Sequence, residues 1–345
     1  MSEETDQKSE RTQTQSIDAG NRQFDPQPAR APNAPYLIKR NSGPKTPFIF
    51  AAPHSGRHYP TTFVEQSQLS ADMLRISEDA WVDKLFEHAP QFGGTQIIAT
   101  YGRSYVDLNR ASDELDPAMF SPMLDKNMVR ESHRVRAGLG VIPELVAPGQ
   151  KIYNSPLPAR EAEKRINDVY HGYHNALRNL ISERKTTFGQ AILIDCHSMP
   201  SVTDPNERSA EKNHADSGDK KGKAARLISG LTKKKSRSHD ADIVLGDVWG
   251  SSCDSMLTAL AEKLLINEGF KVVRNIPYAG GYATQHYGKP KKGVHAIQIE
   301  LNRALYMDEI TLEPLPQFHA IQRKLSRFAA NLMSEFGKTV RVAAE

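Results

Sequence analysis

His54, His197 and Glu300 stand at or near the ends of three apolar runs in this sequence. The runs are 47–52, 191–195 and 294–301. The continuous run from Ala191 to Ile194 is typical of a strand buried on both faces of a sheet, and the other two segments are also predicted to be strands. Because ligands of open α/β sheets bind beyond the carboxyl ends of such strands, we expect the three side chains to share one site.

Two imidazoles and a carboxylate could bind a catalytic metal ion. This is the ligand set of a catalytic zinc site, and it leaves a fourth position for water. A further carboxylate that is not a ligand can accept a proton from that water. Two acids are available, because Asp79 on a predicted helix accompanies Glu300. The residues are far apart along the chain, so spacing alone also allows ordinary buried structural side chains.

Strands and helices alternate along the chain around these residues. Apolar runs predict strands at 47–52, 95–100, 191–195, 242–245, 271–274 and 294–301. Apolar residues at helical spacing predict helices over 70–90, 158–184, 254–268 and 317–336. This alternation predicts an α/β fold in a single domain, with a mixed, largely parallel central sheet flanked by helices.

Composition distinguishes several segments of the chain. Residues 1–35 hold almost no large apolar side chains and are predicted to be a disordered tail, whereas 36–340 are predicted to form one domain. Residues 204–240 are a charged insertion, interpreted as solvated because no aromatic residues are interleaved. We expect a long loop region at 111–158 and a flexible Gly-rich loop near the site at 278–288.

The composition also argues against several classes of protein. The net charge is +4 over 345 residues, and the basic residues are spread out or offset by acids, so nucleic acid is not an expected partner. Cys196 and Cys253 are the only cysteines, which excludes a disulfide framework. No apolar window suits a membrane span, and no secretory signal is recognisable. We expect a soluble cytoplasmic protein whose oligomeric state the sequence does not indicate.

Six short motifs follow one another along the chain. They are Pro53-His54-Ser55-Gly56, Glu78-Asp79-Ala-Trp-Val-Asp83, Tyr101-Gly-Arg-Ser-Tyr-Val-Asp-Leu-Asn-Arg110, Asp195-Cys-His-Ser-Met-Pro200, Leu245-Gly-Asp247 and Ile299-Glu-Leu-Asn-Arg303. Together they resemble the N-formylglutamate amidohydrolase family, and the resemblance covers about residues 37–336. That family is similar in fold to the zinc carboxypeptidases, a phosphorylase/hydrolase-like fold. The resemblance implies a metal-dependent amide hydrolase with Zn²⁺, or alternatively Mn²⁺ or Co²⁺.

The resemblance also implies roles for individual residues. His54, Asp79 and His197 match the metal ligands of the family, and Glu300 matches the catalytic base. Asp195, two residues before His197, is expected either to orient that ligand or to cap the turn.

Two of these ligand assignments have alternatives. Glu78 competes with Asp79, and on a helix the two would point about 100° apart, so only one could face the metal. Asp79 is preferred because it aligns with the acidic position four residues before Asp83. His58 is the alternative to His54 and is interpreted as a loop side chain.

Asn109 and Arg110 resemble the Asn-Arg pair with which zinc carboxypeptidases hold a substrate carboxylate. A guanidinium group matches a carboxylate with two parallel hydrogen bonds. The alternative is a structural salt bridge from Arg110 to Asp107 or Asp113. An N-acyl glutamate has two carboxylates, so a second cation is required. The candidates, between which the sequence does not choose, are Arg103, Arg134, Arg136 and Arg303.

The resemblance implies a small N-acyl amino acid as substrate, with N-formyl-L-glutamate in histidine breakdown as the first candidate. One alternative is a deacylase acting on another acidic N-acyl compound or on a cell-wall peptide fragment. The other alternative is a non-catalytic binding module whose basic insertion contacts an anionic partner. The insertion is longer than the connection we expect in the family, which leaves the acyl specificity open.

Overall fold

The computed structural model of the chain describes residues 32–43, 45–203, 237–238 and 241–342. The predicted tail lies outside the described residues except for 32–35. The predicted insertion, residues 204–240, lies outside them except for 237–238. Among the helices of the described residues, none combines the length and apolar character needed to cross a membrane.

A seven-stranded sheet forms the centre of the described chain. Its strands are β1 (Tyr36–Lys39), β2 (Phe48–Ala52), β3 (Thr95–Ala99), β4 (Ala191–Met199), β5 (Ile243–Gly246), β6 (Val272–Arg274) and β7 (Val294–Asn302). Their order in the sheet is β1-β3-β2-β4-β7-β5-β6. β3, β2, β4 and β7 run parallel, whereas β1 and the β5–β6 pair run in the opposite direction. The predicted mixed, largely parallel sheet is confirmed.

Helices and short turns surround this sheet. The helices are α1 (Thr61–Gln66), α2 (Ala71–Arg75), α3 (Val82–Leu85), α4 (His133–Arg136), α5 (Ala159–Arg165), α6 (His171–Phe188), α7 (Ser255–Asn267), α8 (Tyr282–Tyr287) and α9 (Phe318–Val342). The π-helical turn Ile166–Tyr170 joins α5 to α6. Short 3₁₀ turns are Ala89–Phe92, Pro117–Met119, Lys126–Met128, Pro290–Lys292 and Arg303–Leu305. Two-residue and three-residue strands pair outside the main sheet: Phe120–Ser121 with Leu157–Pro158, Leu145–Ala147 with Gln150–Lys151, and Val202–Thr203 with Arg237–Ser238.

The two faces of the sheet carry different side chains. On one face, Ile297, Ile299 and Leu301 of β7 pack with α3, α7 and α9. On the other face, Leu193 of β4 and Ala296 of β7 pack with α6. Because side chains alternate along a strand, the polar residues that follow Leu193 and Ala296 at every second position face the α6 side. The site described below lies there, at the carboxyl ends of β2, β4 and β7.

The single helix predicted over 70–90 is wrong. The structure has two short helices, α2 and α3, and Trp81 between them has φ 68° in the left-handed region. Tertiary contacts interrupt the periodic segment, since the Asp79 N–H donates to the His54 carbonyl (3.0 Å) and the Trp81 indole donates to the Leu312 carbonyl (2.7 Å). These contacts outweigh helix propensity, which is a weak preference.

Two further predictions need smaller corrections. The segment 278–288 is not a loop throughout, because α8 occupies Tyr282–Tyr287. β4 extends to Met199, so His197 lies within the strand, two residues before its end, rather than after the strand. Apolar periodicity does not extend into polar strand ends, which explains why β4 was predicted too short.

Candidate metal centre

His54, Asp79 and His197 converge on one point beside the sheet. The Nδ1 atoms of the two imidazoles are 3.1 Å apart, and Oδ2 of Asp79 lies 3.3 Å from His54 Nδ1 and 2.9 Å from His197 Nδ1. Among the described residues, these three form a group whose ligand atoms all lie within 4.8 Å of one another. All three side chains are buried. Two imidazole nitrogens and one carboxylate oxygen directed at a shared point have the chemistry of a divalent metal site.

A carboxylate supports each imidazole from behind. His54 Nε2 lies 2.7 Å from Oδ1 of Asp107, and His197 Nε2 lies 3.1 Å from Oδ1 of Asp195. Each ring therefore has its Nε2 towards a carboxylate and its Nδ1 towards the centre. Metal-ligating histidines commonly have this arrangement, because the carboxylate orients the ring and makes it more basic.

Asp79 is held by hydrogen bonds on the side away from the imidazoles. Its Oδ1 accepts from Ser198 Oγ and from Arg303 Nη2, both at 3.1 Å. Burial alone would raise the pKa of Asp79, but hydrogen bonds with His197 and His54 hold that pKa well below its usual range. Asp79 is therefore an anion in the folded chain.

Arg303 lies in the same network. It donates to Ser198 Oγ (3.1 Å), to Asp79, and to the backbone carbonyls of Ile76 (3.3 Å) and Glu78 (2.8 Å). Its guanidinium is buried, and its ion pair with Asp79 connects Arg303 with a predicted metal ligand.

The alternatives to the predicted ligands point elsewhere. Glu78 accepts hydrogen bonds from Tyr59 OH (2.7 Å) and Arg75 Nε (3.1 Å), away from the imidazole pair. His58 makes an edge contact with the Tyr101 ring, with 4.8 Å between the ring centroids. Glu78 and Asp79 both lie in the connection between α2 and α3. The direction of the backbone there, rather than helical spacing, separates their carboxylates.

Glu300 lies next to this group without belonging to it. In the pairing of β7 with β4, Glu300 is opposite His197. Burial raises the pKa of Glu300 to about 7; His197 opposes this shift and Asp79 adds to it. Gln298, on the same face of β7, donates a hydrogen bond to Glu300 Oε1. A buried carboxyl group that ionises near neutral pH suits proton transfer.

Asn109 contacts both His197 and Asp195, the carboxylate behind the His197 ring. Its Nδ2 lies 3.4 Å from Oδ2 of Asp195 and 3.0 Å from Nε2 of His197, and its Oδ1 accepts from the backbone N–H of Ala283 at 2.8 Å. Both ends of the Asn109 amide therefore contact protein groups.

Two arginines adjoin the same site. Arg110 donates to the carbonyls of Leu139 (3.1 Å) and Asn109 (2.8 Å), and burial lowers its pKa to about 10. Arg103 donates to Oδ2 of Asp107 at 3.0 Å, and its side chain is 25% exposed. The Arg103 guanidinium is therefore anchored at Nε and still partly exposed. It can bind a carboxylate that arrives from solution.

The other two arginine candidates differ from these. Arg134 is near enough to Arg110 to affect its pKa. Arg136 is 64% exposed and pairs with Glu131 at 2.9 Å. Arg136 therefore belongs to the surface of the described chain.

The sequence interpretation missed three contributors. Asp107 was considered only as a partner of Arg110, and Ser198 was assigned no role in the site. Gln298 was assigned no role either, although it lies two residues before Glu300. The signal that could have found Gln298 is the alternation of β7, which places every second residue on one face.

A mixed α/β sheet with a buried imidazole–carboxylate group at its strand ends is an arrangement that suits a hydrolase. Residues 46–307 match the family model "FGase: N-formylglutamate amidohydrolase". The chain therefore belongs to the N-formylglutamate amidohydrolase family, as the motifs predicted, and is a hydrolase of that family.

Individual relatives agree with this assignment. The N-formylglutamate deformylase of Pseudomonas aeruginosa is 28% identical over 269 residues, which cover 77% of this chain and 84% of that protein. The N-formylglutamate deformylase of Pseudomonas putida is 25% identical, with 77% and 83% covered. The crystal structure of N-formylglutamate amidohydrolase from Ralstonia eutropha JMP134 superposes with a TM-score of 0.75 at 31% identity, covering 89% of this chain and 99% of that chain.

Proposed function

We propose that this chain hydrolyses N-formyl-L-glutamate to formate and L-glutamate with a divalent metal bound by His54, Asp79 and His197. The observation that carries the proposal is the convergence of two Nδ1 atoms and one carboxylate oxygen, each supported from behind, next to a buried Glu300. The relatives named N-formylglutamate deformylase support the choice of substrate. The role in histidine breakdown and the cytoplasmic location stay predictions.

The ligand atoms of His54, Asp79 and His197 suit a divalent metal ion. Two imidazole nitrogens and an anionic oxygen face one another within hydrogen-bond distance, and a cation between them would satisfy all three. A divalent metal at this point would polarise the amide carbonyl and lower the pKa of water. Zn²⁺ is the first candidate, because two imidazoles and one carboxylate leave the open position of a catalytic zinc site.

Glu300 performs the proton transfers in this proposal. Its carboxylate accepts a proton as water attacks the formyl carbon, and it then delivers that proton to the nitrogen as the C–N bond breaks. A pKa of about 7 suits both steps, because the group can accept a proton and release it near neutral pH.

Arg103 and Arg110 bind the two carboxylates of the substrate in this proposal. Arg103 is close enough to Asp79 and Glu300 for their charges to affect its pKa, so its guanidinium lies near the reacting groups. Asn109, predicted as a partner of Arg110, accepts a hydrogen bond from Arg110 at its backbone carbonyl. Residues 36–340 form one catalytic domain in this proposal, which is supported by one sheet that begins at Tyr36 and ends at Asn302.

A substrate panel on chelated and reloaded enzyme tests the proposed function. Formate release is measured from N-formyl-L-glutamate, N-formyl-L-glutamine and N-formyl-L-leucine after addition of Zn²⁺, Mn²⁺ or Co²⁺. A parallel assay follows deacylation of N-acetyl-L-glutamate. We expect turnover to need a metal and to be fastest with N-formyl-L-glutamate. Formate release that survives complete metal removal, or that is equally fast without the side-chain carboxylate, contradicts the proposal.

A further inference from the structure

Gln298 connects Glu300 to the segment that precedes α8. Its side chain is buried. Its Oε1 accepts hydrogen bonds from the backbone N–H of Gly281 and from Thr284 Oγ1 (3.3 Å), and its Nε2 donates to Oε1 of Glu300.

The backbone determines which way this amide faces. A side-chain amide has one oxygen that accepts and one NH₂ group that donates. The backbone N–H of Gly281 can only donate, so the Gln298 oxygen must face it and the NH₂ group must face Glu300. The Gln298 NH₂ group therefore faces Glu300 whether Glu300 is protonated or ionised.

The segment that carries Gly281 is itself held from two sides. The N–H of Val248, after β5, donates to the Ala279 carbonyl at 2.7 Å. On the other side, a Cβ atom at residue 281 would overlap the Asn109 amide, so only glycine permits this close approach. The Gly281 N–H that donates to Gln298 is therefore held in place beside the site.

We propose that Gln298 is a positioning residue that holds one carboxylate oxygen of Glu300, so that the other oxygen is directed at the reacting water. This inference rests on the proposed role of Glu300 as the base. Gln298 acts through Glu300 and has no contact with Arg103 or Arg110 among its hydrogen bonds in the described residues. Its loss should therefore lower kcat and leave KM unchanged.

The test variant is Gln298→Met, which keeps the length of the side chain and removes both hydrogen-bonding groups. We expect kcat to fall about 10- to 100-fold, the effect of losing one hydrogen bond to a charged group. KM and the bound metal per chain should stay within about twofold.

The matched control is Gln96→Met. Gln96 is also a buried glutamine on a strand of this sheet, and its Nε2 donates to the Asp83 carbonyl at 2.7 Å. Gln96→Met should lower the melting temperature while the folded enzyme keeps its kcat. If Gln298→Met does not fold, Gln298→Asn replaces it. That variant keeps the amide group but is one methylene shorter, so it cannot bond the Gly281 N–H and Glu300 at once, and it should show a loss of kcat in the same direction.

The double variant separates this inference from the proposed function. Enzyme concentrations are raised until turnover by Glu300→Gln exceeds the uncatalysed rate. We expect Gln298→Met to cause no further loss in the Glu300→Gln background. An unchanged kcat in Gln298→Met, or an equal loss in both backgrounds, overturns the positioning role and leaves the base assignment intact. Near-normal kcat in Glu300→Gln alone overturns the base assignment and this inference with it.

Discussion

Two buried carboxylates beside the same imidazoles have opposite electrostatic surroundings. Asp79 is buried and is hydrogen-bonded by both imidazoles and by Arg303, and the hydrogen bonds with His197 and His54 hold its pKa well below the usual range. Glu300 is hydrogen-bonded by a neutral amide, and burial raises its pKa to about 7. A carboxylate whose hydrogen bonds outweigh its burial is held as an anion and suits metal binding, whereas one whose burial outweighs its partners can exchange a proton near neutral pH. The balance between burial and hydrogen-bonding partners thus distinguishes the two proposed roles.

The largest effect should come from removing the proton acceptor. Glu300→Gln should lower kcat by about 10² to 10⁴, the usual contribution of a general base. Bound metal should stay at the wild-type level, because Glu300 lies outside the group of three ligands. Steady-state kinetics and metal analysis on one preparation measure both quantities.

Glu78→Gln is the matched control for that variant. Glu78 is an equally buried carboxylate, but it is bound by Tyr59 and Arg75. Its neutralisation should lower stability and leave kcat of the folded enzyme unchanged. Equal losses of kcat in both variants would mean that Glu300 acts through stability rather than chemistry.

The raised pKa of Glu300 predicts a dependence of stability on pH. Between the usual pKa of 4.5 and about 7, the unfolded chain has released the Glu300 proton while the folded chain retains it. The unfolded chain then binds fewer protons, so the free energy of unfolding falls as pH rises through this window. Glu300→Gln lacks this loss. For the metal-free proteins, its stability relative to wild type should therefore rise by about 2 to 3 kcal/mol from about pH 5 to about pH 8.

Urea denaturation of both chelated proteins at the two pH values measures this difference. A difference between the two proteins that does not change with pH would show that Glu300 ionises at its ordinary pKa. That outcome would remove the electrostatic contrast with Asp79.

The cation beside Asp79 should matter less than the base. Arg303→Met removes one hydrogen bond to Oδ1 of Asp79 and the charge that accompanies it. We expect metal affinity to fall about 10- to 100-fold, the usual effect of losing a partner that orients a ligand. Metal titration against a competing chelator gives the affinity.

Arg75→Met is the control for the Arg303 variant, because Arg75 pairs with Glu78 at 3.1 Å in the same part of the chain. This substitution should leave metal affinity unchanged. If Arg303→Met also leaves it unchanged, the Ser198 and imidazole contacts are sufficient to hold Asp79.

The strands that carry the site could be predicted from the sequence. β2 and the first half of β4 are continuous apolar runs, which identify strands buried on both faces, and β7 is largely apolar with interspersed polar residues. The order of the strands could not be predicted, because the pairing of Glu300 with His197 joins segments more than a hundred residues apart. The family motifs nevertheless identified the three residues that the structure brings together.

Predictions failed where tertiary contacts outweigh local pattern. The segment around Trp81 has helical spacing, yet contacts with His54 and Leu312 divide it. The supports of the site depend in the same way on distant residues. Asp107 meets His54 across 53 positions, and Gln298 depends on a backbone N–H at residue 281. No local spacing in the sequence records such partners.

The smallest effect concerns substrate binding rather than the two carboxylates. Arg110→Lys should raise KM for N-formyl-L-glutamate about tenfold with little change in kcat, because lysine keeps the charge but loses the two parallel hydrogen bonds. Arg136→Lys, at an exposed surface pair with Glu131, is the control and should leave both constants unchanged. Initial rates over a range of substrate concentrations separate KM from kcat. A KM that stays at the wild-type value would exclude Arg110 from binding the substrate. Its hydrogen bonds to the Leu139 and Asn109 carbonyls and its ion pair with Asp107 (3.9 Å) would then be its whole role. Arg103 would remain as the proposed cation for the substrate.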